Sequence, residues 1–158
     1  ILFLVLPQNR FIRGNKKMTS SQLTPFHLAI PVDDLEEAKE FYHGLLGADI
    51  GRSDATWIDF NFFGHQLVCH LSQSKTTEIT NPVDNHDVPV PHFGLVLEWN
   101  AFHLLIKELE NKKIRFIIEP TIRFKGQIGE QATAFLYDPS GNAIEFKSFK
   151  DMKDLFRN

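Results

Sequence analysis

The stretch ATAFLYDPSGNAIEF at positions 132–146 predicts a strand, a tight turn and a second strand. Pro139 presets φ for the first half of the turn, and the Gly-Asn pair that follows can adopt positive φ. In the return strand, Ile144 and Phe146 share one face, whereas Glu145 lies on the other. Burying such a carboxylate costs free energy unless a partner compensates it, and a metal ion is one candidate partner.

A βαβββ order is predicted before residue 72. The segment PFHLAIPV at 25–32 alternates, so that its large apolar residues share one face and His27 lies on the other, among small residues. Asp33 or Asp34 can cap a helix that ends at Gly47. Strands are predicted around 48–52, over 56–63 and over 66–71.

The same order returns from residue 91, which makes an internal repeat. His92 opens a strand as His27 does, 65 positions later. Asn100 is predicted to cap a second helix, and a strand over 114–118 and a polar loop over 119–131 precede the hairpin. The apolar strand faces need helices to cover them, so the opposite faces can curl towards each other around a shared cavity.

Charge and composition limit the possible partners and compartments. The net charge of −3 hides an asymmetry, because residues 1–17 hold four basic residues and no acidic one. The remainder carries 13 basic and 20 acidic residues, which argues against a nucleic-acid partner. The single cysteine, Cys69, is predicted to be buried and suits a reducing compartment, so we expect a cytoplasmic protein. A basic segment without acids also suits organelle targeting, which stays open.

Several motifs resemble the vicinal oxygen chelate superfamily, which includes glyoxalases, bleomycin resistance proteins and extradiol dioxygenases. The most specific are FHLAIPVDDLEEA at 26–38 and YDPSGNAIEF at 137–146. Four shorter motifs resemble, more narrowly, those of a subgroup described as predicted extradiol-type dioxygenases. They are WIDF at 57–60, GHQLVCH at 64–70, VPVPHFG at 88–94 and RFKGQ at 123–127.

The resemblance implies an α+β fold of two βαβββ modules with curved mixed sheets around one metal cavity. The modules are expected at 24–72 and 91–149, joined by a polar connector at 73–90 that contains prolines and shows no period. Residues 1–23 are expected to form a disordered or non-native extension, and residues 150–158 a C-terminal tail. The expected assembly is a homodimer that binds a small molecule, with no nucleic-acid or membrane partner.

The resemblance also places one divalent metal ion per chain on His27, His92 and Glu145. Two imidazoles and one carboxylate suit Fe(II), which we favour, or Mn, Zn, Ni or Co. Aligning the turn glycines sets Val68 opposite Glu145, where glyoxalase I-like sites carry a fourth ligand. Valine cannot coordinate, so three protein ligands are expected. His70 is the candidate acid or base, although a role as ligand or in plain packing stays open.

The favoured reaction is O2-dependent, extradiol-type cleavage of a vicinal diol or enediol. The dioxygenase pattern has a tyrosine where this chain has Phe135, and Tyr137 is displaced by two positions. Arg123 and Lys125 could clamp a carboxylate or phenolate, and with Phe135 and Tyr137 they are the predicted substrate-binding residues. His86, in the connector, is expected on the surface. The alternatives are a glyoxalase-like isomerase, a thiol transferase using the metal as a Lewis acid, and a non-catalytic, bleomycin-resistance-like binding protein.

Overall fold

The computed structural model describes residues 24–72, 79–83 and 86–157, together with the backbone of residues 12–13 and 16–17. Strand β1 (Ile12–Arg13) pairs with β2 (Lys16–Lys17) in a two-residue antiparallel ladder. The rest of the extension predicted at 1–23 lies outside the described residues.

The first module has the predicted βαβββ order. Its elements are β3 (His27–Val32), α1 (Leu35–Lys39) with a π-helical continuation (Glu40–Leu45), β4 (Asp49–Asp54), β5 (Trp57–Phe62) and β6 (His65–Leu71). The sheet order is β3-β6-β5-β4, with β3 parallel to β6 and the other pairs antiparallel. Asp34 caps α1, since its Oδ1 accepts the backbone N–H groups of Glu36 and Glu37 at 2.7 and 3.0 Å.

The second module repeats this arrangement. Its elements are β9 (His92–Leu97), α2 (Trp99–Asn111), β10 (Ile118–Arg123), β11 (Gln131–Tyr137), β12 (Ala143–Phe149) and a 3₁₀ turn (Met152–Phe156) within the predicted tail. Its sheet order is β10-β11-β12-β9, and β12 runs parallel to β9. Each module therefore places its last strand beside its first, and the predicted repeat and α+β class are confirmed.

The connector contains a two-stranded antiparallel ribbon that the sequence analysis did not predict. Strand β7 (Ile79–Val83) pairs with β8 (His86–Val90). Pro82 and Pro89 obscure the strand pattern, because proline lacks the N–H that a central strand donates. A two-stranded ribbon consists only of edge strands, where prolines are tolerated.

Two further local predictions are wrong. The strand expected at 114–118 begins at Ile118 and continues through the predicted loop to Arg123. Its pairing shifts between Ile118 and Thr121, around Pro120, whose missing N–H breaks the ladder there. The second helix begins at Trp99, with Glu98 as its N-cap, so Asn100 lies in the first turn. Trp99 packs against the core, and the Glu98 side chain makes no capping hydrogen bond.

The helices pack against the apolar faces of the sheets in one continuous core. Tyr42, Phe60, Phe102 and Phe146 are among its largest fully buried side chains. Cys69 is fully buried as predicted, and burial, with a smaller effect of the Asp138 charge, raises its pKa to about 12. Within the described ranges, no helix combines the length and hydropathy needed to cross a bilayer.

The turn between β11 and β12 is built on the buried carboxylate of Asp138. Its Oδ1 accepts the backbone N–H groups of Ser140 and Asn142 at 3.0 and 2.7 Å. Its Oδ2 accepts the Tyr42 hydroxyl at 2.8 Å and the Asn142 amide at 2.7 Å. The Asn142 amide also donates to the carbonyl of Pro31 on β3 at 2.9 Å. The turn therefore holds the hairpin closed and joins the two modules.

Replacing Tyr42 with Phe should lower the free energy of unfolding by about 1.5–3 kcal/mol, because it removes a buried hydrogen bond to a charged acceptor. Burial and the Asp138 charge raise the pKa of Tyr42 well above its ordinary value, so the hydroxyl stays a neutral donor. Urea denaturation measures the change. Equal stability of the variant and the wild type would contradict this role for the hydroxyl.

Gly94 lies opposite Glu145 across the β9–β12 ladder, and a methyl group at Gly94 would overlap the carbonyl oxygen of Glu145. Gly94→Ala should therefore destabilise the protein by about 1–3 kcal/mol, since the strands must separate. Gly44→Ala is the matched control, because a methyl group there meets no atom within 4 Å. In a helical segment this change should stabilise by about 0.4–1 kcal/mol. Thermal or urea melts that show Gly94→Ala as stable as wild type would be inconsistent with this packing.

Candidate metal centre

His92 and Glu145 lie side by side on the sheet of the second module. In the parallel β9–β12 pair, His92 is opposite Ala143 and Glu145 is opposite Gly94, so the two side chains are diagonal neighbours on one face. His92 Nε2 lies 3.4 Å from Glu145 Oε2. The parallel pairing between the first and last strands of the module thus brings together two residues that are 53 positions apart in the chain.

The orientation of the His92 ring leaves Nε2 as the atom that can bind a metal. Its Nδ1 lies 2.7 Å from the carbonyl oxygen of Pro89. A carbonyl can only accept, so Nδ1 carries a proton, and Nε2, which lies beside Glu145 Oε2, is the ring nitrogen that a metal ion could bind. The ring also packs edge-on against Phe135, with centroids 5.1 Å apart.

The Glu145 carboxylate is held from the opposite side. Its Oε1 accepts the Thr133 hydroxyl at 2.6 Å and lies 3.1 Å from the Lys147 ammonium group. These contacts fix the plane of the carboxylate and leave Oε2 turned towards His92. The side chain is only 13% exposed, so its charge is largely removed from bulk water.

These contacts fit two positions in the coordination sphere of a divalent ion. Histidine ligands usually donate their second ring N–H to a carbonyl or carboxylate, and ligating carboxylates are themselves hydrogen-bonded. His92 meets the first condition through Pro89, and Glu145 meets the second through Thr133. One imidazole nitrogen and one carboxylate oxygen suit Fe, Mn, Co, Ni or Zn.

A cavity of about 300 Å³ adjoins this pair. It lies between the sheet of the second module and the β7–β8 ribbon. Its apolar lining residues are Val83, Val88, Ile118 and Phe135, and its polar ones are His86, His92, Thr121, Arg123, Thr133, Glu145 and Lys147. No residue of strands β3–β6 is among these lining residues. Within one chain, then, the polar faces of the two modules do not meet around this cavity.

The four predicted substrate-binding residues do not all line the same cavity. Arg123 and Phe135 line the cavity beside His92 and Glu145. Tyr137 lines a neighbouring cavity of about 220 Å³, between β3 and the start of β9, which His92 also borders. Lys125 is exposed on the loop after β10 and lines neither cavity.

His27, the third predicted ligand, belongs to a separate cluster on the first module. Its Nδ1 lies 2.8 Å from Gln66 Oε1, and the Gln66 amide donates to Asp59 Oδ2 at 3.2 Å. Arg52 donates to the same oxygen through two nitrogens at 2.9 and 3.1 Å. An amide oxygen only accepts, so His27 Nδ1 is the donor and Nε2 is the ring nitrogen that stays available on this exposed side chain.

One chain therefore assembles two of the three predicted ligands. Over residues 24–72, 79–83 and 86–157, no three His, Cys, Asp or Glu side chains are grouped so that they could hold a metal ion. Val68 takes the place in the first module that Glu145 has in the second, since Val68 pairs with Ala29 as Glu145 pairs with Gly94. Val68 is buried and His70 is exposed.

Seven cavity-lining residues were not predicted as parts of the site, and Thr133, Lys147 and His86 are among them. Hairpin register could have identified the first two, because Thr133 pairs with Lys147 and both share a face with Glu145. His86 is exposed as expected, yet it also lines the cavity because the unpredicted β7–β8 ribbon folds over the sheet.

Comparison with known proteins agrees with this architecture. The family model of the Glyoxalase/Bleomycin resistance protein/Dioxygenase superfamily matches residues 24–146. A glyoxalase/bleomycin resistance protein/dioxygenase from Alicyclobacillus acidocaldarius is 38% identical, with a TM-score of 0.71, over 84% of this chain and 96% of that one. None of the curated proteins matches significantly.

More distant structures share the fold alone. The fosfomycin resistance protein FosX from Listeria monocytogenes is 15% identical, with a TM-score of 0.61 over 87% of this chain and 98% of that one. Lactoylglutathione lyase from Agrobacterium tumefaciens is 17% identical, with a TM-score of 0.59 over 85% of this chain and 97% of that one. The family match and the 38% identical structure together show that the chain belongs to the glyoxalase/bleomycin resistance protein/dioxygenase superfamily.

Proposed function

We propose that this protein is a metal-dependent enzyme that binds its substrate through two adjacent oxygen atoms, and that its reaction is O2-dependent cleavage of a vicinal diol or enediol. The observation that carries the proposal is the 3.4 Å approach of His92 Nε2 to Glu145 Oε2, with His92 oriented by Pro89. Membership of a superfamily of mostly metal-dependent enzymes supports it.

The third ligand in this proposal is His27 of the partner subunit in a homodimer. Each chain offers one exposed imidazole, that of His27, on its first module and one His92–Glu145 pair on its second. In a two-fold dimer, His27 of the partner subunit can meet the His92–Glu145 pair of one chain, and symmetry repeats the same contact with the two chains exchanged. Two identical sites therefore form. This pairing uses every predicted ligand, whereas a single chain leaves His27 apart from the other two.

A divalent ion, Fe(II) in our proposal, would lower the pKa of the bound substrate oxygens and hold O2 beside them. The chain itself fixes the geometry: Pro89 orients His92, Thr133 orients Glu145, and Phe135 forms an apolar wall. Val68 adds no donor atom, which keeps positions available for substrate. Gln66 holds the ring of His27 as Pro89 holds that of His92.

Proton transfer needs a group other than Phe135, which has no ionisable atom. We keep His70 as the candidate, because it lies on the same strand face as Gln66 and would accompany His27 of the partner subunit into the site. His86 is the competing residue, since it lines the cavity of the same chain.

The phenylalanine at position 135 also favours a second candidate function. Without a tyrosine proton donor beside His92, the same ligands could support isomerisation or thiol transfer, in which the metal acts as a Lewis acid and O2 is not consumed. O2 dependence separates these reactions from cleavage.

Oxygen uptake by the Fe(II)-loaded protein tests the proposal across a panel of diols and enediols. We expect uptake that depends on the metal, with poor turnover of simple catechols. His70→Ala should lower the rate by about 10²–10⁴-fold, as loss of a general acid or base does. His103→Gln, on the exposed part of α2, is the control and should leave the rate unchanged.

The other possible results of these assays would change the proposed proton-transfer residue or the proposed reaction. A rate lost in His86→Ala but kept in His70→Ala would transfer the proton role to His86. Bound metal with no uptake across the panel would contradict the dioxygenase reaction and favour the Lewis-acid candidate. Purified protein that retains no metal after Fe(II) loading would contradict both and favour a non-catalytic binding protein.

A further inference from the structure

We propose that Asp59 is a positioning residue for His27, and that it acts by holding the side-chain amide of Gln66 in one orientation. In that orientation the amide oxygen faces His27 Nδ1, which keeps a proton on this nitrogen and leaves Nε2 available to a metal ion. This inference rests on the proposed function, because it takes His27 as a metal ligand.

The three side chains lie on one face of the sheet of the first module. Gln66 pairs with His27 in the parallel β3–β6 ladder and with Asn61 in the antiparallel β5–β6 ladder. Asp59 is two residues before Asn61 on β5, so it shares that face and is a diagonal neighbour of Gln66. A chain of contacts therefore crosses three adjacent strands, from β5 through β6 to β3.

The carboxylate of Asp59 acts as an acceptor in each of its contacts. Its Oδ2 receives two nitrogens of Arg52, at 2.9 and 3.1 Å, and the amide nitrogen of Gln66 at 3.2 Å. Arginine has only donors, so this oxygen can only accept from it. Asp59 is 6% exposed, and a carboxylate so deeply buried is tolerated because donors surround it.

This acceptor determines which way the Gln66 amide points. Turned around, the amide would place its oxygen against Asp59 Oδ2 and its NH2 group against His27 Nδ1. Two acceptors would then face each other without a proton between them, which costs free energy in a buried place. The neutral His27 ring would accept at Nδ1 and carry its proton on Nε2, where a metal ion could no longer bind.

The second module needs no residue of this kind. Nδ1 of His92 faces the backbone carbonyl of Pro89 at 2.7 Å, and a backbone carbonyl cannot exchange places with a donor. The acceptor for His27 is a side-chain amide, which has a donor on one side and an acceptor on the other. Only the first module therefore requires a further residue to set the orientation of its acceptor.

The repeat shows how the first module obtained this residue. Asp59 pairs with Val68 as Phe135 pairs with Glu145, so the acidic residue of the first module lies one strand further from its histidine. There it is buried and receives three nitrogen donors. These contacts suit a role in positioning rather than in coordination.

Nitrogen-15 NMR of the histidine side chains in metal-free protein at about pH 8.5 tests this inference, because neutral rings predominate there. Protonated and unprotonated ring nitrogens have well separated chemical shifts, and His27→Ala identifies the signals of that ring. In the wild type, the Nε2 shift should be that of an unprotonated nitrogen. In Asp59→Ala it should move towards that of a protonated one.

Three controls separate positioning from a general structural effect. Gln66→Leu keeps the pair of Asp59 and Arg52 and should shift the His27 signals in the same direction. Asp49→Ala removes an exposed carboxylate from the same sheet and should leave them unchanged. The signals of His92 should stay constant in all variants, because a backbone carbonyl fixes that ring.

A second substitution should restore the wild-type ring. Adding Gln66→Glu to Asp59→Ala supplies a carboxylate that accepts through either oxygen and needs no residue to orient it. The Nε2 shift of His27 should return to that of an unprotonated nitrogen. Fe(II) affinity should fall about 10–100-fold in Asp59→Ala, as it does when a residue behind a ligand is removed, and should recover in the double variant.

An unchanged His27 tautomer in Asp59→Ala would overturn the inference. A shift that Gln66→Glu does not reverse, or one of equal size in Asp49→Ala, would also overturn it, since Asp59 would then act only on the stability of the sheet. The expected shifts in a protein that binds no metal ion would support the positioning of the ring and contradict the proposed function, so the two failures are distinguishable.

Discussion

The buried carboxylate of Asp138 is the interaction on which the rest of this fold depends. It accepts four hydrogen bonds, two from the backbone of its own turn, one from Asn142 and one from Tyr42 of the first module. A buried charge is tolerated only when it is satisfied in this way. The turn sets the register of β11 against β12, which places Phe135 opposite Glu145 and Thr133 opposite Lys147. The composition of the cavity follows from that register.

The two modules share the same strand order but differ in the side chains beside their first histidine. In both modules the first strand opens with a histidine whose Nδ1 is fixed by an oxygen acceptor, Gln66 for His27 and Pro89 for His92. Only the second module pairs its histidine with a carboxylate, since the first has Val68 at the equivalent place. In our proposal each module supplies half of a site, and two-fold symmetry is the simplest way to join the halves twice.

Alternation and repetition predicted most of the fold, because they report directly on which strand faces are buried. They identified β3, β12 and the placement of His27, His92 and Glu145 on polar faces. They failed where proline interrupts the pattern, at the β7–β8 ribbon and around Pro120 in β10. His86 was not recognised as a cavity residue, because its position depends on how the ribbon closes over the sheet, whereas Lys147 could have been identified from the hairpin register. In the proposed dimer, the position of His27 relative to Glu145 depends on how two chains associate, which the pattern of one sequence does not predict.

Mixed dimers of His27→Ala and His92→Ala chains, purified with two different affinity tags, test the central claim most directly. Each variant alone should retain little Fe(II), because every site in its homodimer lacks one ligand. The mixed dimer contains one site with His27 from one chain and His92 with Glu145 from the other, so elemental analysis should find close to one ion per dimer. A mixed dimer without bound metal, or a His27→Ala homodimer that keeps its full metal content, would contradict a site shared between chains.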